Sequence, residues 1–361
     1  MRIALIHRKG QKPGGVERFA EKIRQFLEKE GWTVSHLHEG AFSLPKTRLR
    51  RKKAFDQACA RFVHKQASSL QAVLSLEKID CNPTHLRLGE GLHATYLQKR
   101  AHFESFLKRW HLRQSRFHRH ALAVEKKCLE NPRLKTLFCN AEMVKQEVLA
   151  HYQIPPEKIV VIQNGINWSE YEGPFASWRD EKVALHRRYD LPSCFHFLFV
   201  GNGFVRKGLW FLLQAFAALP KNTHLSVVGR CKTLPSCKRF VRKHKLENRV
   251  RFFGAQNPTP FYQLADCLVI PSYYDPAANV TLEALAMGLR VVSSTANGAA
   301  EILPPTWRVD KPEDPRVLQQ ALLAALPEKK TEESATKKQD LVRSFCDQKQ
   351  LRKFVQHIRP V

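Results

Sequence analysis

The chain has 361 residues, enough for two domains at roughly 150 residues each. A hydrophobic fraction of 43% with 22 phenylalanines excludes a disordered or fibrous chain, and the lack of any run of about 18 apolar residues excludes a membrane-spanning helix. The net charge of +27, shared by both halves, says nothing about fold but marks a protein that attracts polyanions: nucleic acid, anionic headgroups or acidic glycans.

Residues 2–7 read as a short buried strand, followed by a Gly-containing loop over 9–15 that includes Gly14 and Gly15. Val16, Phe19, Ala20, Ile23, Phe26 and Leu27 then recur at helical spacing. Strand, glycine loop and helix in that order open a Rossmann-like unit. The apolar opening stops at His7, too short for a secretory signal. Nine cysteines, an odd number with no C-x-x-C pair, suggest free thiols rather than a zinc site or disulfide framework, so a cytosolic location is expected. Gly31 ends the first helix and 32–37 supplies a second strand. The basic run 46–53, with Lys46, Arg48, Arg50, Arg51, Lys52 and Lys53, is expected to be solvated.

In R-L-G-E-G-L-H-A, Glu90 and His93 stand beside glycines where a ligand approaches closely, and either side chain suits taking the proton of a hydroxyl. His93 reads equally as a satisfied loop histidine. Between 96 and 127, Phe103, Phe106, Trp110 and Phe117 recur at near-helical spacing. They stand among nine basic residues, including Lys108, Arg109, Arg113 and Arg116, against Glu104 and Glu125. Such a segment suits an anionic membrane surface; equally, its aromatic stripe packs on the first sheet. Residues 162–178, with Asn164, Gly165, Gly173 and Pro174, have the composition of a linker, dividing a domain over 1–167 from one over 168–339.

The strand, glycine loop and helix pattern restarts at residues 195–200, 201–208 and 209–219. Further strands are expected at 225–228, 250–253, 267–270 and 290–293 with helices between them, which implies parallel sheets. The charged stretch 328–338 reads as loop, and a last helix over 340–358 is expected to dock back on the first domain.

The second glycine loop, G-N-G-F-V-R-K-G, carries Gly201, Gly203, Arg206, Lys207 and Gly208. Glycines let backbone amides approach an anion, and the following helix start together with an adjacent Arg and Lys brackets a diphosphate. The plain alternative is a pair of surface charges at a turn. In Y-Y-D-P-A-A-N-V-T-L-E, a helix beginning near Asn279 places Glu283 one turn inside it and leaves Asp275 in the preceding loop. The amides of Asn279, Val280 and Thr281 are then expected to be free donors. Glu283 suits the two hydroxyls of a ribose, and Asp275 the hydroxyls of a sugar.

With Arg206 and Lys207 after one strand, Asp275 and Glu283 flanking a helix start, and A-L-A-M-G-L-R-V-V-S-S-T-A-N-G-A-A-E-I beyond them, the chain resembles the family 4 retaining glycosyltransferases over most of its length. The resemblance implies an α/β architecture of two Rossmann-like domains facing a central cleft (GT-B), the first binding the acceptor and the second a nucleotide diphosphate sugar, with a UDP-sugar favoured. It implies diphosphate contacts from Gly15, Arg206, Lys207, Val280 and Thr281, a ribose on Glu283, catalytic roles for Glu90, His93 and Asp275, and front-face transfer with retention. Within the family the chain is most similar to the lipopolysaccharide core α-glucosyltransferases. This implies an acidic glycolipid acceptor at the inner face of the membrane, reached through Lys108, Arg109, Arg113 and Arg116. Asp275 departs from the family pattern, where Glu is usual. No D-x-D triplet occurs, so neither a metal nor another cofactor is expected, the basic residues stabilising the leaving diphosphate instead. The alternatives are a nucleotide-sugar epimerase of the same fold and a basic nucleic-acid-binding protein. No zinc-finger spacing or RNA-recognition signature supports the latter, and nucleic acid is not expected as a partner.

Overall fold

Apolar runs that lack alternation mark strands buried on both faces, as parallel sheets require. In β1 (Arg2–Ile6) four successive residues are buried. The computed structural model describes residues 1–8 and 14–359, Arg113 through its backbone only. The loop expected over 9–15 therefore lies largely outside the described residues. The chain forms two compact units, 1–163 with 350–361, and 164–349.

The first unit contains β1, β2 (Thr33–Leu37), β3 (Ala72–Ser75), β4 (His85–Leu88), β5 (Thr136–Cys139) and β6 (Ile159–Val161) in the order β2-β1-β3-β4-β5-β6. Every pairing is parallel. The Gly15–Lys29 helix buries Ala20, Ile23 and Leu27 against Ile3, Leu5 and Leu74 of the sheet. The same cluster takes Leu351, Phe354, Val355 and Ile358 from the C-terminal end of the chain, with Phe354 stacked on Phe138 at 3.9 Å.

The second unit repeats the plan with β7 (Phe195–Val200), β8 (Thr223–Val228), β9 (Val250–Gly254), β10 (Cys267–Ile270), β11 (Arg290–Ser294) and β12 (Arg308–Val309), ordered β12-β11-β10-β7-β8-β9. These pairings are parallel too. Both units are α/β and parallel throughout.

Two expectations near the C-terminus need correction. Residues 328–338 are not loop: Glu332–Asp340 is a helix, opened by a capping box between Thr331 and Ser334. The charge that suggested a loop is partly internal. Lys330 is buried, donates to the Tyr262 carbonyl at 3.1 Å and lies 4.3 Å from the ring of Trp178. The helix expected over 340–358 is shorter, Asp347–Gln356; before it, Ile166 and Cys346 form a parallel bridge that holds the chain extended.

Candidate functional site

The second glycine loop is shaped by three left-handed or otherwise glycine-favouring positions: φ is +158° at Gly201, +74° at Gly203 and +74° at Gly208. At Gly208 a Cβ would lie 1.9 Å from the Pro271 carbonyl oxygen, so no other residue fits there. Gly208 also caps the Leu209–Ala217 helix. This turn fixes Arg206 and Lys207 immediately before a helix N-terminus. Arg206 Nη1 lies 3.0 Å from Asp275 Oδ2, and Lys207 Nζ 2.6 Å from the same oxygen. Arg206 also donates to the Tyr274 carbonyl at 2.9 Å. Asp275 is buried, and burial works to raise its carboxyl. The charges of Lys207 and Arg206 outweigh burial and hold it below its ordinary value of 3.8. Two adjacent cations and a carboxylate distant in sequence thus form one ion triad.

The Asn279–Ala286 helix begins where the sequence placed it, with Glu283 one turn inside. Tyr262 donates its hydroxyl to Glu283 Oε2 at 2.8 Å. Of the three amides expected to be free, that of Thr281 is not: it donates to the Ala278 carbonyl at 2.9 Å, a tight first turn. Val280 is half-buried and Thr281 fully buried. Behind this start lies Asn297, which the sequence reading did not single out. Its Oδ1 accepts from the amides of Ala278 and Ala299, and its Nδ2 donates to Thr281 Oγ1 and Ser293 Oγ. The backbone of Asp275 pairs alongside, its amide donating to Ala296 and its carbonyl accepting from Gly298. One buried asparagine therefore ties the acid-bearing loop to the helix that carries Glu283. Its only sequence signal was the N-G pair of a turn.

In the first unit Gly15 opens the Gly15–Lys29 helix, exposed, after an N-cap at Gly14 whose amide donates to Glu17 Oε2 at 2.9 Å. Glu90 and His93 line a cavity of about 560 Å³ with Arg8, Lys46, Arg48, Arg51, Lys52, Glu77 and Lys78 on its walls. Burial drives the His93 imidazole down to about 4, so it is neutral near pH 7, and its Nε2 meets His118 Nδ1 at 3.0 Å. Glu90 is exposed. Glu77, overlooked because β3 carried no clear signal, is pushed up to about 7 by burial and by the neighbouring charge of Glu90. The run 46–53 was expected to be solvated, and Lys46, Arg48, Arg50 and Lys53 are exposed, with Arg51 and Lys52 half-buried. Arg48–Lys65 is a helix, and Lys46, Arg48, Arg51 and Lys52 face the cavity. Arg48 lies 4.2 Å and Lys52 5.6 Å from the ring of Phe117.

The segment 96–127 is three helices, His93–His102, Phe106–Gln114 and Arg116–Leu129, rather than one amphipathic stretch. Of the two acids in the segment, Glu125 does not reach solvent. It is fully buried, pairs with Lys78 at 3.1 Å and accepts from the Tyr152 hydroxyl at 2.7 Å and from the amides of His93 and Ala94. A carboxylate thus caps the His93–His102 helix from a distant part of the chain. On the middle helix Phe106, Leu107 and Trp110 are 74%, 70% and 54% exposed, so its aromatic residues do not pack on the sheet. Lys108, Arg109 and Arg116 are exposed around them; the side chain of Arg113 lies outside the described residues. Among the described residues no helix is long and apolar enough to cross a membrane.

Comparison with known proteins matches residues 13–170 to the model of Glycosyltransferase Family 4 and 194–328 to that of Glycosyl transferases group 1. An uncharacterized glycosyltransferase of Methanocaldococcus jannaschii is 31% identical over 45% of this chain and 43% of its own length. The lipopolysaccharide glucosyltransferase WaaG of Escherichia coli is 29% identical over 58% of this chain and 55% of its own. The chain thus spans about half the length of these relatives. The crystal structure of WaaG superposes with a TM-score of 0.77 at 19% identity, covering all of both chains. That of Anabaena HepE in complex with UDP-glucose gives 0.70 at 15%, covering 99% and 98%.

Proposed function

Since this chain belongs to the family 4 glycosyltransferases, with the GT-B fold, we propose that it transfers a sugar, with retention, from a nucleotide diphosphate donor to an acidic glycolipid acceptor at a membrane surface. The observation that carries this reading is the ion triad: two cations held on a glycine turn at a helix start by a single buried carboxylate. Two fixed cations in a partly dry site stabilise the charge that develops on a leaving diphosphate, and they need no reorganisation as it forms. Asp275 sets the spacing of both and limits their mutual repulsion. Arg206 is the more exposed of the two, its side chain 35% accessible against 10% for Lys207, and so is the first to meet an incoming phosphate.

Glu283, which accepts from Tyr262 at one oxygen, is in this reading the side chain that holds the ribose. UDP-glucose is named in the complex of HepE, which supports a UDP-sugar as donor here. The acidic lipid acceptor is supported by the likeness to WaaG and by the exposed cations and apolar residues of the Phe106–Gln114 helix. Catalysis in this reading relies on cations of the chain rather than a divalent metal, with Glu90 or the departing diphosphate taking the acceptor proton.

The test is turnover of UDP-sugars by Lys207→Ala and Arg206→Ala, each checked for native circular dichroism. Loss of one preorganised charge contact to the leaving group is expected to lower kcat by about 10²–10³. A folded double variant with the turnover of the parent would remove the phosphate role.

A further inference from the structure

The hydroxyl that donates to Glu283 Oε2 at 2.8 Å belongs to a residue 21 positions earlier in the chain. Tyr262 is fully buried on the Thr259–Leu264 helix, in one apolar cluster with Ile270, Leu282 and Leu285. A phenylalanine would pack there equally well and bring no buried polar atom in need of a partner. The plain alternative is that Glu283 merely satisfies that hydroxyl. The way Tyr262 is mounted favours the opposite dependence. Its carbonyl accepts from the buried amine of Lys330 at 3.1 Å. Lys330 is itself held, its amine 4.3 Å from the ring of Trp178 and its amide 3.2 Å from Asp266 Oδ1. The next residue, Gln263, donates to the Pro174 carbonyl at 3.0 Å and to Ser177 Oγ at 3.3 Å.

Burying a lysine is costly, and burial, helped by the charge of Lys182, drives the Lys330 amine well below its ordinary 10.5. Such costly contacts concentrate at functional sites, and here they fix the backbone that carries one hydroxyl. Glu283 differs: it is half-buried and stands on another helix, Asn279–Ala286. Immobilising a rotamer-rich side chain during binding costs roughly two- to tenfold in affinity. A hydroxyl on a rigid mount removes that cost before the ligand arrives.

We propose that Tyr262 is a positioning residue for the nucleotide donor, its hydroxyl setting the rotamer of Glu283 so that the carboxylate is ready for the ribose. The role rests on the transferase reading, and Tyr262 touches no reacting atom. Its influence is confined to the nucleoside end of the donor, because Arg206 and Lys207 are held separately by Asp275. Calorimetry of the full chain tests this with UDP and with inorganic pyrophosphate, which has no ribose. Tyr262→Phe keeps the ring and its packing, so circular dichroism should match the parent. In that variant UDP affinity is expected to fall about three- to tenfold while pyrophosphate affinity stays within about twofold. In a Glu283→Ala background, where no carboxylate is left to orient, the same substitution should lower UDP affinity no further. A merely structural tyrosine would act otherwise, its loss weakening UDP and pyrophosphate alike whatever stands at 283. Parallel loss of both ligands, a loss that adds to that of Glu283→Ala, or UDP affinity equal to the parent's overturns the proposal. A parent that binds pyrophosphate but not UDP removes the ribose role of Glu283 and this role with it. A parent that binds both leaves the donor site standing even where Tyr262→Phe changes nothing.

Discussion

At Glu283 a structural role and the proposed ribose-binding role can be told apart by one substitution. Its carboxylate accepts from the Tyr262 hydroxyl, a bond that a glutamine can also accept, so Glu283→Gln should leave the helix in place. What the amide cannot do is receive hydrogen bonds from two ribose hydroxyls at full charge. Hydrogen bonds to a charged group contribute about 1.5–3 kcal/mol, so UDP affinity measured by calorimetry should fall roughly tenfold or more with little change in Tm. Equal affinity in variant and parent would leave Glu283 a structural residue. Asp275 behaves differently, because its partners are internal. With its carboxyl held below 3.8 by Lys207 and Arg206 against the effect of burial, it lends stability that is present above that unfolded value and disappears as pH falls through the lower folded one. The ion triad therefore persists through neutral and mildly acidic pH. The places of Gly208, Arg206, Lys207 and Glu283 were legible in the sequence, since they sit at fixed offsets from a strand end and a helix start. The sequence did not show that Asp275 would face those cations, because ion pairing across 68 residues depends on how β10 brings the loop after it beside the loop after β7.

At the level of elements, the His93–His102 helix starts at the cavity and depends on a carboxylate that no local pattern reveals. Burial works to raise the Glu125 carboxyl, but Lys78, the Tyr152 hydroxyl and the amides of His93 and Ala94 outweigh it and leave the group below its ordinary value of 4.5. The sign of its contribution follows: stabilising above about pH 4.5 and lost as pH falls through the folded value. Glu125→Gln strips Lys78 of its counter-charge and turns an NH2 donor toward one of the two amide donors, which meet different oxygens of the carboxylate. Breaking a buried pair costs about 3–5 kcal/mol, and the partial exposure of Lys78, 14%, places the expected loss near the lower end, about 3 kcal/mol. Urea unfolding at pH 7 measures it; the difference between variant and parent should shrink toward pH 3. A loss under about 1 kcal/mol would mean the cap is dispensable. Strands β1, β7 and β10 were legible as unbroken apolar runs. Strands β3 and β4 were not: each has four residues, and β4 alternates His85 and Arg87 with leucines although all four are buried, so its pattern imitates an exposed edge. The helix over Arg48–Lys65 was missed for a related reason. Its first turns are so basic that they read as a solvated run, and the apolar face of Phe55, Cys59 and Val63 comes only later.

For the molecule as a whole, the charge of +27 has several destinations rather than one. Part of it surrounds the cavity of the first unit, part holds Asp275, and part lies on the Phe106–Gln114 helix, where exposed cations flank exposed apolar residues. A helix that merely needed solubility would not present Phe106, Leu107 and Trp110 to water. Amphipathic helices that lie on a bilayer do so, the apolar residues entering the interface while Lys and Arg meet anionic headgroups. Near a membrane surface each cation contributes about 1 kcal/mol, so Lys108, Arg109 and Arg116 together should change partitioning to anionic vesicles by roughly a hundredfold. Two variants separate the contributions in a vesicle sedimentation assay. Replacing the three cations by Gln should remove most binding to phosphatidylglycerol vesicles at low salt. Phe106→Ser with Trp110→Ser should spare part of that binding at low salt but abolish what remains at high salt, where screening shortens the electrostatic reach to about 3 Å at 1 M. Neither variant touches the Arg206, Lys207 and Asp275 triad, so UDP affinity should be the same in all three proteins. If both variants sediment with anionic vesicles as well as the parent does, the helix is not the docking element and its apolar residues await a protein partner instead.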